Sequence, residues 1–406
     1  MKRAWAIVTI GFLLAGCGGQ AASGSAPASS PAANPSAPAS VASVATSASA
    51  SAPASSSARA AASTSTSSAA SVPAASAGST LPSGAASAPP SAKPSAAAQA
   101  VDVTLALGYI PNVQFAPFYV AQSKGFYKDE GINISFDNGT SPDLIKSVGA
   151  GKFKFAIADS DTVISARAEN IPVTYVAGFY VQSPAAIISL NKTGITAPAQ
   201  LKGKKIGLPG RYGSSYIGLL GVLNKAGLTE KDVDVQEIGY NQAPQLLAGK
   251  VDAVVGFANN DALQVAAQAG GQPNVLKIGD VIPFVGNGMV TNGDELKNET
   301  KLVQGMSRAM LRGVQYTAQH PDEAFDITVK AVPEAGGKDA AVNKQVLTAT
   351  IPLFSDKSTA ANGLGWTDPA SWKSMEDTMT KAGLIKSTPP IDQVMTNQFA
   401  SKDIAI

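Results

Sequence analysis

Cysteine and histidine each occur once in this chain of 406 residues, as Cys17 and His320. A lone cysteine forms no intramolecular disulfide and no cysteine-rich metal or redox centre. A lone histidine leaves no HExxH helix and no paired His/Cys cluster, so no metal site is expected. GxSxG, a Walker lysine loop and GxGxxG are also missing, which removes the nucleophile-elbow, phosphate-loop and dinucleotide signatures. A serine nucleophile has no evident base, because His320 stands before Pro321-Asp322-Glu323 at what reads as a helix start and is expected to be structural. Carboxylates alone remain for acid–base work, and no spacing singles out a pair. The chain is therefore expected not to be an enzyme, with no catalytic residues and no cofactor. Charge is sparse as well. Of 31 basic residues, Lys2, Arg3, Arg59 and Lys93 precede Val101 and none of the 29 acids does. The 27 bases left against 29 acids give −2 from Val101 onward, which offers no nucleic-acid surface.

What is present divides the chain in two. Met1-Lys2-Arg3, an apolar run from Ala4 to Ala15 and a small-residue exit at Gly16 read as a secretory signal peptide over residues 1–16. Leu14-Ala15-Gly16-Cys17 resembles the bacterial lipobox, which makes Cys17 the lipidated N-terminus and ties the protein to a membrane. The alternative is a plain signal peptide with a chance cysteine. Residues 17–100 are almost wholly Ala, Ser and Pro, without an aromatic or an acid. Such a segment buries too little apolar surface to offset the entropy of ordering it, and is expected to be a disordered tether. As a flexible coil it would separate its ends by roughly 50 Å. An O-glycosylated stalk is compatible with the same composition.

From Val101 to Ile406 strand and helix patterns alternate, which predicts α/β architecture with parallel sheets covered by helices on both faces. The length suits two lobes. An internal echo points the same way. Asp143 to Asp161 and Gln242 to Asp261 each read as a short helix, an Ala-Gly-Lys turn (Ala150 to Lys152, Ala248 to Lys250), a strand and a polar loop. Ligands of open α/β sheets bind outside the carboxyl ends of strands, so two such units aim two loops into a shared cleft. Chance likeness among common βα turns is the other reading. From about Thr300 onward the pattern turns helical.

Candidate ligand residues follow from those strand ends. Tyr109 and Asn112, after the first strand, can stack on a planar ring and hydrogen-bond its edge. Phe115, Phe118 and Tyr119 open the next helix. Phe118 reads as core, Tyr119 leans that way, and Phe115 is kept for the cleft. Asp159 and Ser160 come from the first echo loop, and Phe257, Asn259 and Asn260 from the second. Gly210 to Tyr216 places Arg211, Tyr212, Ser214 and Ser215 at a helix start, where free N–H groups suit an oxyanion or carbonyl. The serines alternatively cap the helix and need no ligand. Gln182 at the first crossover and Trp366, otherwise core, complete the set, and Gly286-Asn287-Gly288 is a weaker candidate.

Residues Gly108 to Ala121 (GYIPNVQFAPFYVA), Lys124 to Tyr127 with Glu130-Gly131, Leu201 to Gly207 (LKGKKIG) and Gly249 to Val254 (GKVDAV) resemble the ThiY/RibY branch of ABC importer binding proteins. That branch is related to the yeast-type thiamine-pyrimidine synthases and to the sulfonate- and nitrate-binding proteins. The resemblance covers Val101 to Ile406. It implies a type II periplasmic-binding-protein fold with two crossovers, one lobe from residues 101–188 and 286–406 and the other from 189–285. It implies ligand-lining roles for Tyr109, Asn112 and the loops at Asp159, Gly210 to Ser215 and Asn259. The implied ligand is a vitamin heterocycle, riboflavin or a formylaminopyrimidine-type thiamine precursor, captured by an extracytoplasmic monomer. The implied partner is an ABC permease with its ATPase subunit. Closure is expected to hinge near Gln182 to Leu190 and Ile282 to Gly288. The synthases use a histidine and a cysteine-rich motif that this chain lacks. A sulfonate or other small anion, resting on Arg211 and the serine-rich helix start, is the alternative ligand. A carboxylate-based enzyme and a surface adhesin are the remaining alternatives.

Overall fold

The computed structural model describes residues 100–406. The expected signal peptide, the lipidated Cys17 and the tether up to residue 99 lie outside the described residues. Ten strands form two five-stranded sheets. The first holds β1 (Val101–Leu107), β2 (Ile132–Asn138), β3 (Phe155–Ala158), β4 (Val173–Gly178) and β10 (Gly288–Asn292). The second holds β5 (Ala185–Ser189), β6 (Lys205–Leu208), β7 (Asp234–Glu237), β8 (Ala253–Phe257) and β9 (Asn274–Lys277).

The two sheets share one plan, β2-β1-β3-β10-β4 in one and β7-β6-β8-β5-β9 in the other. In each, three strands run parallel and the fourth runs antiparallel to both its neighbours. Those antiparallel strands, β10 and β5, are where the chain arrives from the other lobe. The sheets are thus mixed rather than purely parallel, a consequence of the crossovers that local alternation does not carry. One expected boundary also moves. Residues 185–188 were expected to close the first lobe, but Ala185–Ser189 pairs with β8 and β9 and so belongs to the second sheet. The first crossover is the short run from Phe179 to Pro184.

The helices that matter for the cleft follow strand ends or flank them. They are α1 (Ala116–Ser123), α2 (Phe126–Asp129), α3 (Ser141–Gly149), α4 (Ser160–Ala168), α5 (Gly213–Lys225), α6 (Gln242–Leu247) and α7 (Asp261–Ala269). After β10 the chain is helical, with α8 (Gly293–Asn298), α9 (Thr300–Gln319), α10 (Pro321–Ala331), α11 (Ala340–Thr350), α12 (Lys357–Asn362) and α13 (Pro369–Lys381) the main pieces. Strands β3, β4, β5 and β10 are buried along their whole length, as strands covered on both faces must be. Trp372 of α13 sets its ring edge-on to Tyr175 at 4.8 Å and donates its N–H to Thr367 Oγ1 at 3.0 Å. Met375 and Met379 extend that cluster to Ile217, Val222 and Ile282 of the second lobe. The last long helix therefore packs against both lobes.

The two crossovers run side by side. The N–H groups of Phe179 and Tyr180 both donate to the Asn287 carbonyl, at 2.9 and 2.8 Å. A Cβ on Gly286 would stand 2.1 Å from the Tyr180 carbonyl oxygen, and one on Gly288 would stand 2.0 Å from Tyr175 Cζ. Gly286 is thus required by the meeting of two backbones and Gly288 by the Tyr175 ring lying against it, and Asn287 is carried into the cleft between them.

Candidate ligand-binding cleft

The carboxyl ends of β1, β3, β6 and β8 converge between the lobes, as the alternation predicts. Gly108 and Tyr109 follow β1, Asp159 follows β3, Tyr212 to Ser215 follow β6, and Phe257 to Asp261 end β8 and start α7. Tyr180 and Asn287 enter from the crossovers. The cavity between them is about 80 Å³. Pockets for drug-sized ligands begin near roughly 300 Å³, so admitting a ring system requires the lobes or the tyrosines to move.

The walls are aromatic. Tyr109 of the first lobe meets Tyr240 of the second edge-to-face, with ring centres 4.7 Å apart. Phe179 and Tyr180 stack at 4.2 Å, while Phe115, Tyr212 and Phe257 complete the lining. Burial pushes the phenols of Tyr109, Tyr180 and Tyr240 up. They act as neutral hydrogen-bonding groups and ring faces.

Two carboxylates sit among these rings. Asp159 is partly buried and accepts from Ser141 Oγ at 3.1 Å, Ser214 Oγ at 3.2 Å and Asn287 Nδ2 at 2.7 Å. Burial raises its pKa while these bonds pull it back down. Asp261 turns back on its own loop, accepting from Phe257 N at 2.6 Å, and burial lifts it to about 6. Behind the cleft Asn259 reaches from the second lobe to the first, its Nδ2 donating to Gln114 Oε1 at 3.1 Å and Thr350 Oγ1 at 2.8 Å. Gln242 Oε1 and Asn260 Oδ1 are buried without a hydrogen-bond partner. Both residues line the cavity.

Of the residues singled out in the sequence, Tyr109, Phe115, Asp159, Tyr212, Ser214, Ser215, Phe257 and Asn260 line the cavity. Six others are elsewhere, each for a local reason. Asn112 caps a short 3-10 turn, accepting from Gln114 N at 3.0 Å. Ser160 lies beneath the cleft and donates to the Val285 carbonyl at 2.8 Å. Gln182 is exposed in the first crossover. Arg211 faces outward and pairs with Glu230 and, at 3.2 Å, with Glu237. Asn259 is one layer behind the lining. Trp366 follows the short backbone bridge between Leu364 and Ser401. The serine capping also differs from expectation. α5 has Tyr212 at its N-cap, with no side-chain bond. Ser141 and Ser214 instead give their hydroxyls to Asp159.

Sequence reasoning missed Gln114, Ser141, Tyr180, Tyr240 and Gln242 as lining residues and underweighted Asn287 and Asp261. Tyr240 carried a usable signal, an aromatic just past a strand end. Gln242 opens the second echo unit, a position that the echo itself marks, and Ser141 opens the helix two residues before the first unit. Tyr180 lies on a crossover, where no periodicity applies. His320 is exposed, its ring 4.4 Å from Tyr316 and away from the cleft lining.

The family model described as NMT1/THI5 like matches residues 112–324, a span that includes most of the cleft loops. The chain belongs to the NMT1/THI5-like family. A relative of this NMT1/THI5-like chain, riboflavin-binding protein RibY of Chloroflexus aurantiacus, is 37% identical over 300 residues, covering 73% of this chain and 85% of that protein. The formylaminopyrimidine-binding protein of Halalkalibacterium halodurans is 26% identical, covering 67% of this chain and 82% of that one. The family also reaches enzymes: a 4-amino-5-hydroxymethyl-2-methylpyrimidine phosphate synthase of Legionella pneumophila is 27% identical over 259 residues, 62% of this chain and 80% of that protein. Among solved structures, the alkanesulfonate-binding protein SsuA of Xanthomonas axonopodis superposes with a TM-score of 0.58 at 16% identity, covering 74% of this chain and all of that one. The fold of this family member is that of type II periplasmic binding proteins, two α/β lobes joined by two crossovers.

Proposed function

We propose that this chain is the solute-binding receptor of an ABC importer and captures a planar vitamin heterocycle between its lobes. The observation that carries the reading is the cleft itself: aromatic rings and amides from converging strand ends, with two acids, and neither histidine nor cysteine among its lining residues. That set suits recognition of a flat, hydrogen-bonding molecule. Riboflavin is the first candidate, because the 37% identity to RibY spans most of both chains. A single-ring thiamine pyrimidine precursor is the second, favoured by the cavity of about 80 Å³ and by the formylaminopyrimidine-binding relative.

In this reading the ligand enters an opened cleft, and closure brings Tyr109 against Tyr240 and Asp159 against Ser214. The touching crossovers act as the hinge, and the closed form delivers its cargo to a permease driven by an ATPase. A lipid on Cys17 would hold the receptor, an extracytoplasmic monomer, at the membrane. Titration of purified protein with riboflavin, monitored by quenching of flavin fluorescence, tests the ligand. Saturable quenching supports the flavin. Binding of formylaminopyrimidine alone selects the pyrimidine, and binding of neither removes the heterocycle reading. Steady product formation from either ligand without a permease would return the chain to the enzymes of its family.

A further inference from the structure

The start of α5 is built like an anion site, yet the protein fills it from within. This helix of 13 residues has no side-chain cap, so its first N–H groups and the positive end of its dipole face the cleft. Such a position ordinarily draws a sulfonate, phosphate or carboxylate from solution. Here the carboxylate is Asp159. It takes the Ser214 hydroxyl from the helix, Ser141 from α3 and Asn287 from the second crossover. All of these groups donate, which is the arrangement of an ionised acceptor. Gly213 is left-handed at φ +64°, and a Cβ there would come within 2.9 Å of Asp159 Oδ2. The glycine is what lets the carboxylate approach the helix start.

The rest of the cleft reinforces the sign. Asp261 adds a second carboxylate, itself buried, and no Lys, Arg or His is among the lining residues. Arg211, the base nearest in sequence, is engaged outside with Glu230 and Glu237. Gln242 Oε1 and Asn260 Oδ1 are acceptors waiting for donors.

We infer that Asp159 is a built-in counter-anion that closes the helix-start site to anionic ligands, so that the cleft takes an uncharged, N–H- or O–H-bearing heterocycle in its unphosphorylated form. This rests on the interlobe cleft being the ligand site. A phosphate brought near two carboxylates with no base to offset it meets repulsion of an order that weakens binding roughly a hundredfold.

The test is a calorimetric titration of the full chain with riboflavin and riboflavin 5′-phosphate, hydroxymethylpyrimidine and its phosphate, and an alkanesulfonate buffer. The expected result is that one parent heterocycle binds, its phosphate binds roughly a hundredfold more weakly, and the sulfonate shows no heat. Equal affinity for parent and phosphate overturns the inference while leaving the receptor reading in place. Sulfonate binding overturns it whichever heterocycle is cargo, and silence from every heterocycle brings down the cleft reading and the inference together. Asp159→Ala gives a readout without cargo. Its emptied cradle should accept acetate, so that acetate raises the melting temperature of the variant and leaves the wild type unmoved. An equal response from both proteins, or none from a folded variant, counts against the built-in anion. If the variant does not fold, the wild-type comparison of parent and phosphate still decides.

Discussion

The two echo units have the same backbone and opposite chemistry. In the first, α3 ends at Gly149, Gly151 turns left-handed at φ +74°, and Lys152 N bonds back to the Ser147 carbonyl before β3 begins. In the second, α6 ends at Leu247, Gly249 turns at φ +67°, and Lys250 N bonds back to the Gln245 carbonyl before β8. Strands β3 and β8 then occupy the same third place in their sheets, each between a parallel and an antiparallel neighbour. Past the strand ends the likeness stops. The first loop sends a carboxylate, Asp159, across to the second lobe, and the second sends an amide, Asn259, across to the first. The acid of the second loop, Asp261, bonds to its own turn instead. One scaffold used twice thus gives a seam with charge at one side and neutral hydrogen bonds at the other.

The largest effect should come from removing the charged side. Asp159→Ala leaves the Ser141 and Ser214 hydroxyls and the Asn287 amide without their acceptor and is expected to destabilise the fold by about 1–3 kcal/mol, measured by denaturant unfolding. A loss below about 1 kcal/mol would mean that Asp159 is solvated and joins nothing. The acid of the other loop should act in the opposite direction. A carboxyl held at about 6 in the fold, above its ordinary 3.8, binds its proton more tightly folded than unfolded. Its contribution to stability is therefore fully present below about pH 4 and declines as pH rises towards 6. At pH 7 the ionised, buried Asp261 costs up to about 3 kcal/mol. Asp261→Asn should be the more stable protein at neutral pH, with a flatter profile between pH 4 and 7. An unchanged profile would show that Asp261 is not the group responsible. Smaller again is Asn259→Ala, which leaves Gln114 Oε1 without its donor while Thr350 keeps its bond to the Val346 carbonyl, and should cost about 2 kcal/mol. Its further mark is a more open scattering profile, which Asp261→Asn should not share.

Much of this comparison was legible in the residues. The Ala-Gly-Lys repeat, the strands after it and the polar loops beyond were visible because helix period, left-handed glycine and strand alternation are local properties. Tyr109, Asp159, Tyr212 and Asn260 could be placed near a cleft because strand ends converge in open α/β sheets. What stayed hidden depends on partners distant in the chain. Ala185–Ser189 is an apolar run without period, and only its pairing with β8 and β9 shows which lobe it joins. Asn112 has the composition of a ligand residue, but its side chain is engaged by Gln114 N two residues on. Ser214 reads as a cap because serine at a helix start commonly caps, whereas a carboxylate from elsewhere holds its hydroxyl.

Arg211 gives the smallest expected effect and the clearest contrast with Asp159. From sequence, a base beside a serine-rich helix start reads as an anion receptor. In the fold it is exposed, paired with Glu230 and Glu237 on the outer surface, with its guanidinium 5.9 Å from the Tyr216 ring. Exposed pairs of this kind contribute about 0–1 kcal/mol, and salt screens them. Arg211→Ala should therefore lower stability by less than about 1 kcal/mol and leave the affinity for the bound heterocycle unchanged at low and high salt. A large, salt-dependent loss of affinity in that variant would mean that the arginine swings inward when the cleft is filled. The charge balance of the seam would then be reversed, and Asp159 would be an ion-pair partner rather than a barrier.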